Sequence, residues 1–126
     1  MEKEVRRAHI LVVDDNRLIR SVVAIHLRDR GHEVSEASNG AQAIELIHTT
    51  AFDAVLMDLQ MPVMDGVSAT QVLRSEAAYE ALPIFAFTGQ PQSLGGNRSL
   101  FTDVLVKPMA PDEIFEIISR SLPEPA

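Results

Sequence analysis

An α/β fold, a parallel sheet doubly wound with helices on both faces, is what this 126-residue sequence predicts. Two observations carry the prediction. Of five short strand-like runs, four are almost wholly apolar, as strands covered on both faces must be, and one alternates. The five runs are separated by polar or amphipathic stretches long enough for helices, which calls for right-handed crossovers between parallel strands.

The first strand is Ile10 to Val13, ended by Asp14 and Asp15. Asn16 offers a side-chain oxygen to a helix N-terminus and Gly31 suits the C′ position. Together they bracket a helix in which Ile19, Val22, Val23 and Leu27 recur at helical spacing. Val34 to Ala37 alternates and reads as the second strand. Residues from about 41 to 48 follow Asn39-Gly40 and turn Ala43, Ile44 and Ile47 inward. Ala54 to Met57 is the third strand, ended by Asp58, and a helix from about 67 to 77 follows Asp65-Gly66. Ile84 to Phe87 and Val104 to Val106 are the fourth and fifth strands, ended by Thr88 and Lys107. The last helix, about 112 to 122, carries Ile114, Phe115, Ile118 and Leu122.

The connection from Thr88 to Lys107 stands apart. Once the fifth strand is removed, about a dozen residues remain, near the minimum for a parallel crossover. Pro91 and Gly95-Gly96 within it are poor in a helix interior. The fourth helix is therefore expected to be short or irregular.

Composition narrows the class of protein. Hydrophobic residues make up 46% and charged residues 23%, ordinary for a soluble domain, so disorder, collagen and coiled coil fall away. The length suits a single core without disulfides or a structural metal. The net charge of -7 speaks against a general nucleic-acid surface. The basic pair Arg6-Arg7 shares its tail with Glu2 and Glu4, and no direct nucleic-acid contact is expected. The absence of cysteine removes disulfides, thiol catalysis and thiolate metal sites, and fits a reducing compartment. The apolar run after the N-terminal charges is too short for a signal peptide or a membrane span. The expected location is cytoplasmic, without membrane contact by this segment. Two prolines in Pro123-Glu124-Pro125-Ala126 cannot extend the preceding helix, so 123–126 reads as the start of a linker, after a domain at 9–122 and a tail at 1–8.

Four of the five strands thus end in a polar group: Asp14 with Asp15, Asp58, Thr88 and Lys107. In a parallel sheet these ends share one edge, where open α/β sheets bind their ligands. Three close carboxylates raise one another's pKa and need a counter-charge. With oxygen ligands only, a hard divalent ion such as Mg²⁺ is the natural candidate. A carboxylate there can also act as a nucleophile and form an aspartyl phosphate, with a lysine and a metal neutralising the transferring oxygens.

These residues, with the block MDLQMPVMDG from Met57 to Gly66 and the pair Lys107-Pro108, resemble the receiver domain of two-component response regulators. The match runs from about His9 to Leu122. The resemblance implies a flavodoxin-like five-stranded sheet of order 2-1-3-4-5. It implies that Asp58 accepts phosphate from a phosphohistidine on a histidine kinase or histidine phosphotransfer domain. Asp15, Asp58 and the backbone carbonyl of Gln60 would hold Mg²⁺ or Mn²⁺, with Asp14 on a metal-bound water. Lys107 would pair with the phosphate, Thr88 would donate to it, and Lys107-Pro108 would be a cis peptide. The wording DLQMPVMDG followed by Ala69-Thr70 is most similar to receivers fused to hybrid sensor histidine kinases, which would make this the cytoplasmic part of such a kinase.

The sequence departs from that family at identifiable points. Val104 stands where many receivers carry Tyr or Phe three residues before the lysine, so the aromatic part of the usual switch is missing although Thr88 can still turn. With the shortened fourth crossover, this sets apart the output face built from the last two helices and the strand between them, and any dimer made through it. Gln60 and Gln90 occupy positions that in the family influence hydrolysis of the acyl phosphate, and neutral amides supply no general base. On the first helix, Leu18, Val22 and Ile25 form a second apolar stripe, which fits either a wide core face or a docking surface for the donor's helical bundle. The histidines, His9, His26, His32 and His48, lack the spacing of a metal site.

Two other classes share part of the pattern. A metal-dependent phosphohydrolase also uses an aspartyl phosphate but generally wants an acid two residues after the nucleophile, where this chain has Gln60. An unphosphorylated interaction module of receiver shape is supported by Val104 and the irregular fourth crossover.

Overall fold

The structure, a computed structural model, describes residues 7–122. Residues 123–126 and the first six residues of the expected tail lie outside the described residues. Ala8, at the tail's inner end, is buried in the core. Its N–H donates to Nδ1 of His32 and its carbonyl accepts from Glu33.

Five parallel strands, β1 (His9–Val13), β2 (Glu33–Ala37), β3 (Ala54–Asp58), β4 (Ile84–Thr88) and β5 (Asp103–Val106), lie side by side in the order β2-β1-β3-β4-β5. The α-helices are α1 (Arg17–Asp29), α2 (Gly40–Thr49), α3 (Gly66–Arg74) and α4 (Pro111–Ser119). Alternation along each strand divides its apolar side chains between two layers. Ile10, Val12, Leu56, Phe85 and Leu105 face α1 and α4, where they meet Val23, Leu27, Ile114 and Ile118. Leu11, Val13, Val55, Met57 and Ile84 face α2 and α3, where they meet Ala43, Ile47, Ala69 and Leu73. Every residue of β3 and β4 is buried, which explains why both read as continuous apolar runs.

The helix starts follow from side-chain caps. Asn16, Asn39 and Asp65 each accept the N–H three residues on, from Ile19, Gln42 and Ser68. Gly31, at φ +89°, ends α1 in the left-handed region. The far ends come earlier than periodicity suggests. α3 stops at Arg74, where the Ser75 hydroxyl donates to the Val72 carbonyl, and a 3₁₀ turn follows at Ala77–Tyr79. α4 opens on Pro111, which has no N–H to leave unpaired in the first turn. It closes at Ser119, where hydroxyls of Ser119 and Ser121 bond back to the carbonyls of Glu116 and Ile118.

The fourth crossover is 3₁₀ rather than α-helical over Pro91–Leu100 and breaks at Gly95, whose φ of +52° and ψ of -125° suit a residue without a Cβ. It is anchored from outside. Arg74 on α3 donates from Nε to the Leu100 carbonyl and from Nη1 to the carbonyls of Tyr79 and Leu82, at 2.7–2.8 Å. A side chain on a neighbouring helix thus ties the end of the crossover, at Leu100, to the stretch before β4, at Tyr79 and Leu82. Among the described residues no helix is long and apolar enough to cross a membrane.

Candidate functional site

Strand register determines what meets at the C-terminal edge of the sheet. Val13 pairs with Met57, Asp58 with Phe87, and Thr88 with Val106. The residues that close β1, β3, β4 and β5 therefore lie along one line. Asp14 continues the β1 ladder by one bond, its N–H donating to the Ala37 carbonyl at 3.1 Å. Its carboxylate turns back to accept the Asn16 N–H at 2.9 Å, which ties the acid pair to the start of α1.

One carboxylate oxygen from each of Asp14, Asp15 and Asp58 falls within 4.8 Å of the others. Asp14 and Asp58 are buried, at 1% and 6% exposure, whereas Asp15 is exposed. Lys107 reaches in from the end of β5, with Nζ 2.8 Å from Asp14 and 3.4 Å from Asp58. It also lies over the Phe87 ring, 5.1 Å from its centroid. A single ammonium cannot neutralise three carboxylates. Burial pushes the Asp58 carboxyl up to about 6, and the neighbouring Asp14 pushes the same way. Lys107 and the backbone N–H of Gln60 draw it partly back. Oxygen donors alone, partly buried and in excess of positive charge, fit a hard divalent cation.

The loop after β3 is held tightly against the site. Gly66 donates its N–H to the Leu59 carbonyl, and a Cβ at that position would run into the Asp58 carbonyl. Only glycine lets α3 begin so close to the strand that carries Asp58. In the same loop, Val63 is 85% exposed and adopts φ +69°, unfavourable for a β-branched residue.

The remaining residues singled out from the sequence divide into two groups. Thr88 is buried at the end of β4, and its hydroxyl oxygen accepts the Gln90 N–H at 2.9 Å, leaving the hydroxyl proton available to a second partner. Gln60 and Gln90 meet, the amide of Gln60 donating to the side-chain oxygen of Gln90 at 2.9 Å and joining the loops after β3 and β4. The Lys107-Pro108 peptide is cis. Val104 is not at this edge. It sits in β5 opposite Ala86, half-buried against the α2 and α3 layer. On α1 the side chains of Leu18, Val22 and Ile25 are 73%, 40% and 55% exposed, so the second apolar stripe is surface rather than core.

Comparison with known proteins gives the family and the fold. The sequence profile of the response regulator receiver domain matches residues 10–119. The chain is 36% identical over 123 residues to the CAI-1 autoinducer sensor kinase/phosphatase CqsS of Vibrio cholerae, covering 94% of this chain but 18% of that protein. Among solved structures, the chemotaxis response regulator CheY4 of Vibrio cholerae superposes with a TM-score of 0.85 at 32% identity, over 93% of this chain and 100% of that one. The receiver domain of a Pseudomonas aeruginosa sensor histidine kinase, solved with magnesium in its active-site cleft, gives 0.80 at 33% identity, over 91% and 97%.

Proposed function

The chain belongs to the response regulator receiver family of two-component signalling, and we propose that Asp58 is its phosphoacceptor, taking a phosphoryl group from a phosphohistidine on a histidine kinase or histidine phosphotransfer domain. The observation that carries this is the convergence of Asp14, Asp15, Asp58 and Lys107 at one sheet edge. The ionised Asp58 oxygen attacks phosphorus, an O–P bond forms as the P–N bond breaks, and the departing imidazole takes up a proton. Lys107 lies where its ammonium can follow negative charge onto the phosphoryl oxygens, and the free proton of the Thr88 hydroxyl can be donated to one of them. Asp15, Asp58 and the Gln60 carbonyl are the residues we assign to Mg²⁺, with Asp14 on a metal-bound water. The ion would supply further neutralisation of those oxygens.

The donor's docking surface is assigned to the exposed stripe of Leu18, Val22 and Ile25, continuous with a groove lined by Lys107, Pro108, Met109 and Pro111. The groove is almost wholly apolar and opens beside Lys107, which suits a helix carrying a histidine to the edge where Asp58 stands. The resemblance to receivers of sensor kinases supports a cytoplasmic place in a hybrid kinase or beside one.

The test is direct. Incubation with Mg²⁺ and a small acyl phosphate or phosphoramidate should add one phosphate by intact mass, absent in Asp58→Asn. Mg²⁺ binding without an adduct would instead favour an unphosphorylated interaction module. Continuous phosphate release at enzyme-like rates would favour a phosphohydrolase.

A further inference from the structure

A cation other than Lys107 also reaches the acid pair, from the side of the backbone. Arg20, on the first turns of α1, donates from Nη1 to the main-chain carbonyl of Asp14 at 2.8 Å. Its Nε donates to Oε1 of Glu36 on β2 at 3.1 Å. Glu36 is held from its other oxygen by Arg28 at 3.4 Å, and Arg28 also donates to the Val34 carbonyl. The side chain of Arg20 is 17% exposed and that of Glu36 29%, so the guanidinium fork is fixed at both prongs in a partly desolvated seam between α1 and β2.

The Asp14 carbonyl belongs to the peptide plane that joins Asp14 to Asp15. The plane before it, from Val13 to Asp14, is pinned because the Asp14 N–H donates to the Ala37 carbonyl. Arg20 pins the Asp14–Asp15 plane itself, through its carbonyl. Asp15 is the exposed member of the three acids, so its carboxylate takes its place mainly from the backbone that carries it. We infer that Arg20 is a positioning residue for the acid cluster: by fixing the peptide between Asp14 and Asp15 it sets where the Asp15 carboxylate stands, and so how well the three acids hold a divalent cation. This rests on reading the cluster as a Mg²⁺ site.

Charge and position predict opposite signs, which makes the inference testable. Arg20 is a cation near three carboxylates, and its loss by electrostatics alone tightens Mg²⁺ binding. If it positions Asp15, its loss weakens binding instead. Titration calorimetry of Mg²⁺ into the full chain, with thermal melts alongside, separates the two. Arg20→Met should bind Mg²⁺ roughly tenfold more weakly than wild type, the size of effect seen when supports of metal ligands are removed, with Glu36→Gln within about twofold of wild type. Glu36→Gln retains the Arg20 bond to Asp14. Arg20→Lys keeps the charge but cannot span both acceptors, and should also bind more weakly. It carries the test if Arg20→Met fails to fold. Folded Arg20 variants that bind Mg²⁺ as tightly as wild type, or more tightly, overturn the inference. So does a melting temperature lowered alike in Arg20→Met and Glu36→Gln with affinity unchanged. A wild-type chain that takes up no Mg²⁺ overturns the metal reading itself, and the role of Arg20 with it.

Discussion

Lys107 holds Asp14 by a 2.8 Å ion pair that spans 93 residues of sequence and ties the end of β5 to the end of β1. The Asp14 side chain is 2% exposed and that of Lys107 19%, so the pair is largely removed from water.

Removing Lys107 leaves buried carboxylates without their internal cation. Lys107→Met should lose about 2 kcal/mol of stability near pH 7.5 without divalent cations, less than a fully buried pair because the ammonium retains some solvent. Added Mg²⁺ should restore the loss and bind more tightly than to wild type, since the ammonium no longer competes. Denaturant unfolding with and without Mg²⁺ measures both, and equal stability of variant and wild type would show that the pair contributes nothing net.

The raised pKa of Asp58 makes its carboxylate a cost to the fold. Its carboxyl titrates near 6 in the folded chain against 3.8 ordinarily, chiefly because it is buried. Below 3.8 both folded and unfolded chains hold the proton and nothing is lost. Between 3.8 and 6 the unfolded chain ionises first, so stability falls as pH rises, and above 6 the full penalty of about 3 kcal/mol is present. Asp58→Asn should therefore be the more stable form at pH 7.5 without Mg²⁺, by about 2 to 3 kcal/mol, with the gain shrinking toward pH 4. Urea melts across this range check it, and a gain that grows on acidification would refute it.

Phosphoryl lifetime follows from the residues that flank Asp58. Gln60 and Gln90 are neutral amides bonded to each other, and neither can take a proton from an attacking water. Loss of phosphate from the modified chain should be slow, on the scale of minutes or longer, when followed by intact mass after donor removal. A half-life of seconds would point to a base elsewhere in the site.

Arg74 ties the end of the fourth crossover to the stretch between α3 and β4. Replacing it by Met strips donors from the carbonyls of Leu100, Tyr79 and Leu82. The expected loss is about 3 kcal/mol, with early amide exchange at the end of the crossover near Leu100 and in the stretch from Tyr79 to Leu82. Exchange confined to the chain ends would show that the crossover is held by Leu94 and Phe101 in the core instead.

Much of this was legible in the sequence because the signals were local. An apolar run closed by an acid is visible at Val55 to Asp58, and strand order then brings Asp14, Asp58, Thr88 and Lys107 to one edge. The caps at Asn16 and Asp65 lie next to the helices they start. What stayed hidden depends on acceptors that a side chain meets only after folding. Arg20 and Arg74 bond to main-chain carbonyls, which look alike in every sequence. His32, near a turn in sequence, is buried at 4% exposure and accepts the Ala8 N–H, a contact set by the β1 and β2 register. Helix ends at Arg74 and Ser119 were shortened by serine hydroxyls competing for carbonyls, which hydrophobic spacing does not register.

Val104 has a consequence for how news of phosphorylation leaves the molecule. A ring at that place could act as a piston, carrying an event at the sheet edge to a distant surface. Here a small aliphatic side chain is wedged half-buried against the other layer, and the neighbouring crossover is a kinked 3₁₀ stretch with no rigid lever. If Asp58 takes the phosphoryl group, its message would stay close to where it is written, in the loops joined by Gln60 and Gln90. On that reading the molecule would suit a courier more than a switch with a remote dial: its reader would come to the edge and touch the parcel itself.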